Sequence, residues 1–247
     1  VTLHKLLLIL LAPLLMLQGK RVRGSMLRLP EASGPRQGSA PVADTSATAR
    51  KMNVLVLGDS AAAGVGCETQ NQGVAGQWVA QLSRDAQVHW QLLAKSSLTC
   101  GQVLQMLKQQ RLEHDHYDVV LISVGVNDVT RRTTVAQWQA DLAALTDYLT
   151  VHVKAKLILY TALPPMHKFP ALPQPLRWIV GRQAKQLNRH LQAHCDHHRA
   201  TQLLAFEIPF EAKYIAADGY HPSPHAAKLW AEGAASMWRS LCAQENG

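Results

Sequence analysis

Apolar positions along this chain repeat in two different ways. Short runs of consecutive apolar residues, several of them β-branched, alternate with longer stretches in which apolar residues return every three or four positions. Met52–Leu57, His89–Ala94, Asp118–Val124 and Lys156–Tyr160 are of the first kind, and Gln202–Phe206 is a weaker fifth. Runs of this length are the pattern of strands buried on both faces. Gly76–Arg84, Gln102–Gln110, Val135–Val151, Leu176–His197 and Pro224–Leu241 are of the second kind and read as helices. In Val135–Val151 the apolar face is Trp138, Leu142, Leu145 and Leu149. The alternation predicts an α/β domain: a three-layer α/β/α sandwich around a five-stranded parallel sheet. Ligands of such sheets bind beyond the carboxyl ends of the strands, so the loops after each strand are the place to look for chemistry.

Ahead of Met52 the pattern is different. Leu6–Leu17 is apolar throughout and is followed by Lys20, Arg21 and Arg23. As a helix this run would be only ~18 Å long against a hydrocarbon slab of ~30 Å. That length suits the core of a signal peptide or an interfacial anchor. The expectation is a membrane-associated or exported protein that meets the membrane through residues 6–17. Residues 29–50 are rich in Pro, Gly, Ser, Ala and Thr and show neither period, which predicts a flexible linker. The chain therefore divides into an apolar segment at 1–28, a linker at 29–50 and a domain at 51–247. A chain starting near Ala49 is expected to keep its fold and activity.

Composition adds little and removes much. The chain has 247 residues, 47% hydrophobic, enough for a sizeable core. Its net charge of +8 is concentrated in residues 1–50, which hold seven Lys/Arg against two acids; the remainder holds eighteen against fifteen. The basic balance thus belongs to the N-terminal segment and suits an anionic membrane surface. No basic and aromatic residues interleave as a nucleic-acid groove would need. The four cysteines, Cys67, Cys100, Cys195 and Cys242, form no CxxC and read as free or partly buried thiols.

Three polar clusters fall at strand or loop ends. Gly58-Asp59-Ser60 closes the first strand, at a strand-to-helix turn where a helix N-terminus would favour developing negative charge; a plain N-cap serine fits the same position. Gly125-Val126-Asn127-Asp128 closes the third strand, where an amide can donate to an oxyanion or simply start a turn. Asp218-Gly219-Tyr220-His221-Pro222-Ser223 precedes the last helix. A carboxylate three residues from an imidazole can fix its tautomer and stabilise its cation, or cap a helix beside a surface histidine. His194-Cys195-Asp196-His197-His198 looks like a metal site, but its place near a helix end suits solvent-facing histidines. His114, His116 and His225 read as loop and surface residues. Trp178 and the proline-rich stretch before it are candidates to cover a site or to pack ordinarily.

Taken together, the order Ser, Asn, Asp-x-x-His resembles the SGNH/GDSL hydrolase family over roughly Met52–Trp238. The matching stretches are Val56–Ser60, Gly125-x-Asn127-Asp128 and Asp218-Gly219-x-His221-Pro222-Ser223, with Leu163–Met166 and Phe169–Trp178 similar to a bacterial branch. The resemblance implies a flavodoxin-like strand order and hydrolysis of carboxylic esters through an acyl-enzyme, without metal or organic cofactor. It implies Ser60 as nucleophile, His221 as base and Asp218 as its partner. It also implies an oxyanion hole made by the Ser60 backbone N–H, the Asn127 amide and a further backbone N–H. Aligned through Thr99, that last group belongs to Ser97, which stands where the family usually has glycine. Ser97 cannot adopt a positive φ as cheaply as glycine, which bears on the geometry and efficiency of the hole. A small ester or lipid is the implied substrate; the low aromatic content, 6%, and the lack of a long lid point to a shallow, accessible site and hence to short acyl chains first. Lysophospholipase or thioesterase activity and carbohydrate deacetylation are the enzymatic alternatives, and an inactive module binding acylated glycans is the alternative of another class. The sequence leaves the oligomeric state open.

Overall fold

The computed structural model describes residues 3–42, 50–205, 209 and 211–245. Among the described residues six strands form one sheet: β1 (Gln37–Ala40), β2 (Lys51–Gly58), β3 (Gln87–Ala94), β4 (Tyr117–Ser123), β5 (Ala155–Thr161) and β6 (Thr201–Leu204). Their order across the sheet is β1-β3-β2-β4-β5-β6. Strands β2 to β6 are parallel and keep the flavodoxin-like order. The predicted fold class is therefore observed with one strand more. β1 pairs antiparallel with β3, Gln37 opposite Gln91 and Ala40 opposite Val88. It lies inside the stretch expected to be a flexible linker, so that expectation fails for residues 37–40. Residues 43–49 of that stretch, and Phe206 at the end of the expected fifth strand, lie outside the described residues.

The helices are α1 (Leu3–Ser25), α2 (Val74–Leu82), α3 (Cys100–Gln109), α4 (Val126–Arg131), α5 (Val135–Val151), α6 (Leu176–His197) and α7 (Pro224–Glu245). Side chains alternate across a strand, and two cores result. One face of the sheet, through Leu55, Leu57, Val120 and Ile122, packs on α3, α5 and α6 through Val103, Trp138, Leu142 and Leu187. The other, through Val54, Val56, Val119 and Leu121, packs on α2 and α7 through Trp78, Leu82, Trp230 and Trp238. Trp78 and Trp138 are wholly buried; truncating such a side chain to alanine costs about 3–5 kcal/mol.

α1 lies against α6. Leu15 is buried, and Gln18 reaches both Gln174 O (2.7 Å) and the Leu176 N–H (3.2 Å) at the start of α6. Leu10, Leu14, Met16 and Leu17 stay exposed. Among the described residues, no helix is long and apolar enough to cross a membrane.

Sheet order reverses between β2 and β4, whose ends lie side by side with Gly58 opposite Ser123. Crevices at such reversals are where ligands bind in open α/β sheets.

Candidate active site

Ser60 lies two residues beyond the end of β2. No helix begins behind it. Residues 60–66 form successive turns, closed by Ala63 N–H to Asp59 O (2.9 Å) and Val65 N–H to Ser60 O (3.0 Å), and α2 starts only at Val74. The expected help from a helix N-terminus at Ser60 is therefore absent.

Asp218 and His221 lie in the tight loop before α7. Asp218 Oδ1 accepts the backbone N–H groups of Tyr220 (2.9 Å) and His221 (3.0 Å). Its other oxygen meets His221 Nδ1 at 2.6 Å, and His221 Nε2 lies 2.9 Å from Ser60 Oγ. The Asp218 side chain is 1% exposed and that of His221 14%, so the carboxylate is shut from solvent while an imidazole edge faces the cleft. Burial works to raise the Asp218 carboxyl. Hydrogen bonds from the His221 ring and from the backbone of His221 and Tyr220 outweigh it and hold the group below the usual carboxylate range. The structure thus joins Ser60, His221 and Asp218 in one hydrogen-bonded chain.

Asn127, for which the sequence allows an oxyanion donor or a turn residue, sits in the first turn of α4, with Gly125 capping that short helix at φ +111. Its Nδ2 donates to Leu98 O at 3.1 Å and to Asp59 Oδ2 at 3.3 Å. Ser97 keeps the left-handed backbone of a glycine position, φ +69, and its carbonyl accepts from Arg131 Nη2 at 2.9 Å. The loop carrying Ser97 is thus tied to α4 on either side of the Asn127 amide.

Two carboxylates in the sequence motifs take positions that the motifs did not reveal. Asp59 is buried beneath Ser60 and accepts from Asn127, from Ser123 Oγ (3.3 Å) and from the Ala61 N–H (3.2 Å). Burial pushes it up to about 6 despite those bonds and the His221 charge. Asp128 faces away and accepts the Cys100 N–H at the start of α3 (3.0 Å) and Thr133 Oγ1 (3.1 Å). The aspartate before the serine and the one after the asparagine are thus structural anchors of the site.

A cavity of about 160 Å³ opens at Ser60 and His221 between the ends of β4 and β5. Its walls are mainly apolar and include Val124, Leu163, Pro165, Phe169, Tyr220 and Trp230. The proline-rich stretch thus contributes to the site. Trp178 does not line it and lies against Arg182, whose guanidinium carbon is 4.9 Å from the ring centroid. His194 departs from its expected surface role: it is half-buried, bonded to Thr146 Oγ1 (2.7 Å) and edge-on to Tyr160. Burial, then the neighbouring His198, lower its pKa to about 4, leaving it neutral near pH 7. Among the described residues, no three His, Cys, Asp or Glu side chains converge as a metal-ligand set. His225 is exposed on α7, and all four cysteines are free thiols.

Residues 56–229 match the GDSL-like Lipase/Acylhydrolase family. No curated protein matches the chain. Among solved structures, TesA is similar with 25% identity over 76% of this chain and 97% of its own, at a TM-score of 0.61. The psychrotrophic esterase EstA from Pseudoalteromonas sp., inhibited by monoethylphosphonate, is 22% identical over 79% of this chain and 99% of its own, TM-score 0.55. The acetylxylan esterase Axe2 from Geobacillus stearothermophilus is 17% identical over 75% of this chain and 93% of its own, TM-score 0.57. The last two likenesses are of fold.

Proposed function

The chain belongs to the GDSL-like lipase/acylhydrolase family, and from that premise we propose that it hydrolyses carboxylic esters of short acyl chains through an acyl-enzyme on Ser60. The observation that carries this reading is the chain Asp218–His221–Ser60, with heavy-atom distances of 2.6 and 2.9 Å. His221 Nε2 accepts the Ser60 proton as Oγ attacks the ester carbonyl. Asp218 holds the Nδ1 proton and stabilises the imidazolium that forms. The carbonyl oxygen, now negative, takes hydrogen bonds from the Ser60 and Ser97 backbone N–H groups and from Asn127 Nδ2. For Asn127 this displaces the longer of its two contacts, the one to Asp59. His221 then protonates the leaving alcohol. Water attacks the acyl-enzyme with His221 again as base, and the acid departs.

The apolar cavity bounds the acyl group. A void of ~150 Å³ holds a benzene-sized molecule, so the 160 Å³ here suits chains of up to about six carbons. The test is a series of p-nitrophenyl esters from acetate to laurate, with Ser60→Ala beside wild type. Turnover should concentrate at or below hexanoate, and Ser60→Ala should lower kcat by at least about 10³-fold. Wild-type turnover by pure Ser60→Ala would refute the mechanism, and a maximum at laurate would refute the assignment of the cavity.

A second reading, deacetylation of a carbohydrate, is favoured by a broad trough of about 900 Å³ beside the Ser97 loop, whose mixed walls set Gln37, Gln102, Gln105, Gln109 and Arg111 beside Leu98 and Met106. Comparing acetylated xylose oligomers with lysophospholipid separates it from the lipid alternative; turnover of lysophospholipid alone would reject it. The exposed Leu10, Leu14, Met16 and Leu17, next to exposed Lys20, Arg21 and Arg23, support attachment to an anionic membrane surface. Co-sedimentation with phosphatidylglycerol vesicles checks it, and equal recovery with neutral vesicles or none would reject it.

A further inference from the structure

The segment from Glu31 to Ala40 lies outside the family match and takes no part in the mechanism above, yet it is fastened to both loops that flank the nucleophile. On one side it meets the turns after Ser60. The Ala32 N–H donates to Ala63 O (3.2 Å), the Ser33 N–H to Glu68 O (2.9 Å) and the Gln70 N–H to Ser33 O (2.7 Å). The buried Gln70 amide bridges Ala32 O and Ala63 O at 3.0 and 3.1 Å. The close approach needs Gly64, at φ +81: a Cβ there would stand 2.6 Å from the Ala32 methyl.

On the other side the arm meets the Ser97 loop. Glu31 Oε1 accepts both the backbone N–H and the hydroxyl of Ser96, each at 2.7 Å. Glu31 Oε2 takes Arg36 Nη2 at 2.6 Å, and Arg36 Nη1 reaches Ala94 O at 2.7 Å. Strand β1 then ties the arm to β3. Burial works to raise the Glu31 carboxyl, but the bonds from Ser96 and Arg36 outweigh it and keep it ionised at neutral pH.

A non-glycine residue in left-handed backbone persists only where its surroundings hold it there. After Ser97 the hold comes from Arg131 on its carbonyl and Asn127 on that of Leu98. Immediately before Ser97 it comes from Glu31. We propose that Glu31 is a positioning residue for the oxyanion loop: clamped to Ser96, its carboxylate fixes the left-handed turn that presents the Ser97 N–H to the reaction centre. The proposal rests on the reading of that N–H as an oxyanion donor. It makes the arm part of the catalytic unit, so a chain cut near Ala49 would lose a support of its own active site.

The test compares Glu31→Ala, Ser97→Gly and the double variant in the full chain, with active sites counted by fluorophosphonate titration and Ser60→Ala as the blank. Glu31→Ala should lower kcat per titrated site by about 10-fold, a fraction of the 10²–10³ that a whole oxyanion donor supplies. KM for p-nitrophenyl acetate should stay within about twofold, because only transition-state stabilisation is lost. Glycine takes the left-handed turn without strain, so adding Ser97→Gly should bring Glu31→Ala back to within about threefold of wild type. A residue that merely held the fold together would lower the melting temperature and the number of titrated sites, with no such rescue. Undiminished kcat per site in Glu31→Ala, or a loss that Ser97→Gly does not repair, overturns the proposal. Should Glu31→Ala not fold, Glu31→Met, which keeps the length of the side chain but accepts neither Ser96 bond, carries the same measurement with the same two outcomes. Turnover surviving in Ser60→Ala would instead remove the ester-hydrolase reading itself, and the clamp would fall with it.

Discussion

The stability of Asp59→Asn relative to wild type should climb as pH rises toward about 6 and level off above it. Asp59 is 2% exposed, and burial raises its pKa from 3.8 to about 6. Below pH 3.8 it is protonated whether the chain is folded or not, and the shift costs nothing. Between the two values the folded state holds a proton that the unfolded state has released, so stability falls as pH rises. Above about pH 6 the whole cost is present. The shift of 2.2 units corresponds to about 3 kcal/mol at 1.36 kcal/mol per unit. At pH 4.5 about a third of that has already accrued, which leaves about 2 kcal/mol to appear between pH 4.5 and 8. The uncharged amide of the variant bears no such cost. It also accepts fewer hydrogen bonds than the carboxylate that serves Asn127, Ser123 and Ala61; because the amide does not titrate, that loss lowers the variant's stability equally at every pH and leaves the slope of the difference unchanged. The difference in unfolding free energy, Asp59→Asn minus wild type, should therefore climb by about 2 kcal/mol across this range. Urea melts of both proteins at half-unit pH intervals measure it. A difference that stays flat from pH 4.5 to 8, or falls, would show that Asp59 is ionised at little cost and refute the argument.

Ser97→Gly alone should raise stability. Relief of a left-handed residue, about 1 kcal/mol or more, outweighs the extra freedom of glycine in the unfolded chain, about 0.4–1 kcal/mol, and urea melts should show a small gain. Asp218→Asn removes the anion that holds the His221 Nδ1 proton; kcat should fall by on the order of 10³–10⁴, with an unchanged circular dichroism spectrum. Turnover within tenfold of wild type would assign the imidazole's partner elsewhere.

The parallel sheet and its large helices were legible because each announces itself locally, by a run of apolar residues or a helical spacing. Asn127, Asp218, His221 and Ser60 were legible as a set because each closes a strand or precedes a helix. β1 was not. Its four residues, Gln-Gly-Ser-Ala, carry no apolar alternation, and an exposed edge strand is defined by the partner it pairs with. α4 was hidden in the same way, as a single short helix inside what reads as an Asn-Asp turn. His194 reads as solvent-facing from its position near the helix end, whereas Thr146 and Tyr160 enclose it from α5 and β5. Glu31 lies 65 positions from Ser96 in a stretch that composition marks as linker, and no local pattern can report such a pairing. At Ser97 the sequence shows a serine in a glycine's place and so the cost of a positive φ, but only the bonds around it show that the turn is kept.

The single hydrogen bond between His221 and Ser60 joins residues 161 positions apart. Ser60 follows the first strand of the parallel sheet, and His221 comes after the last, just before α7. Each half is inert by itself, and chain ends separated so far meet only after the intervening strands have found their order, since the entropy of closing the loop between them must be met first. During refolding, helical signal should therefore return well before reactivity toward a fluorophosphonate. The reactive serine then serves as a timer for the final docking of α7 against the sheet, marking completion of the chain in a way that no measure of secondary structure can.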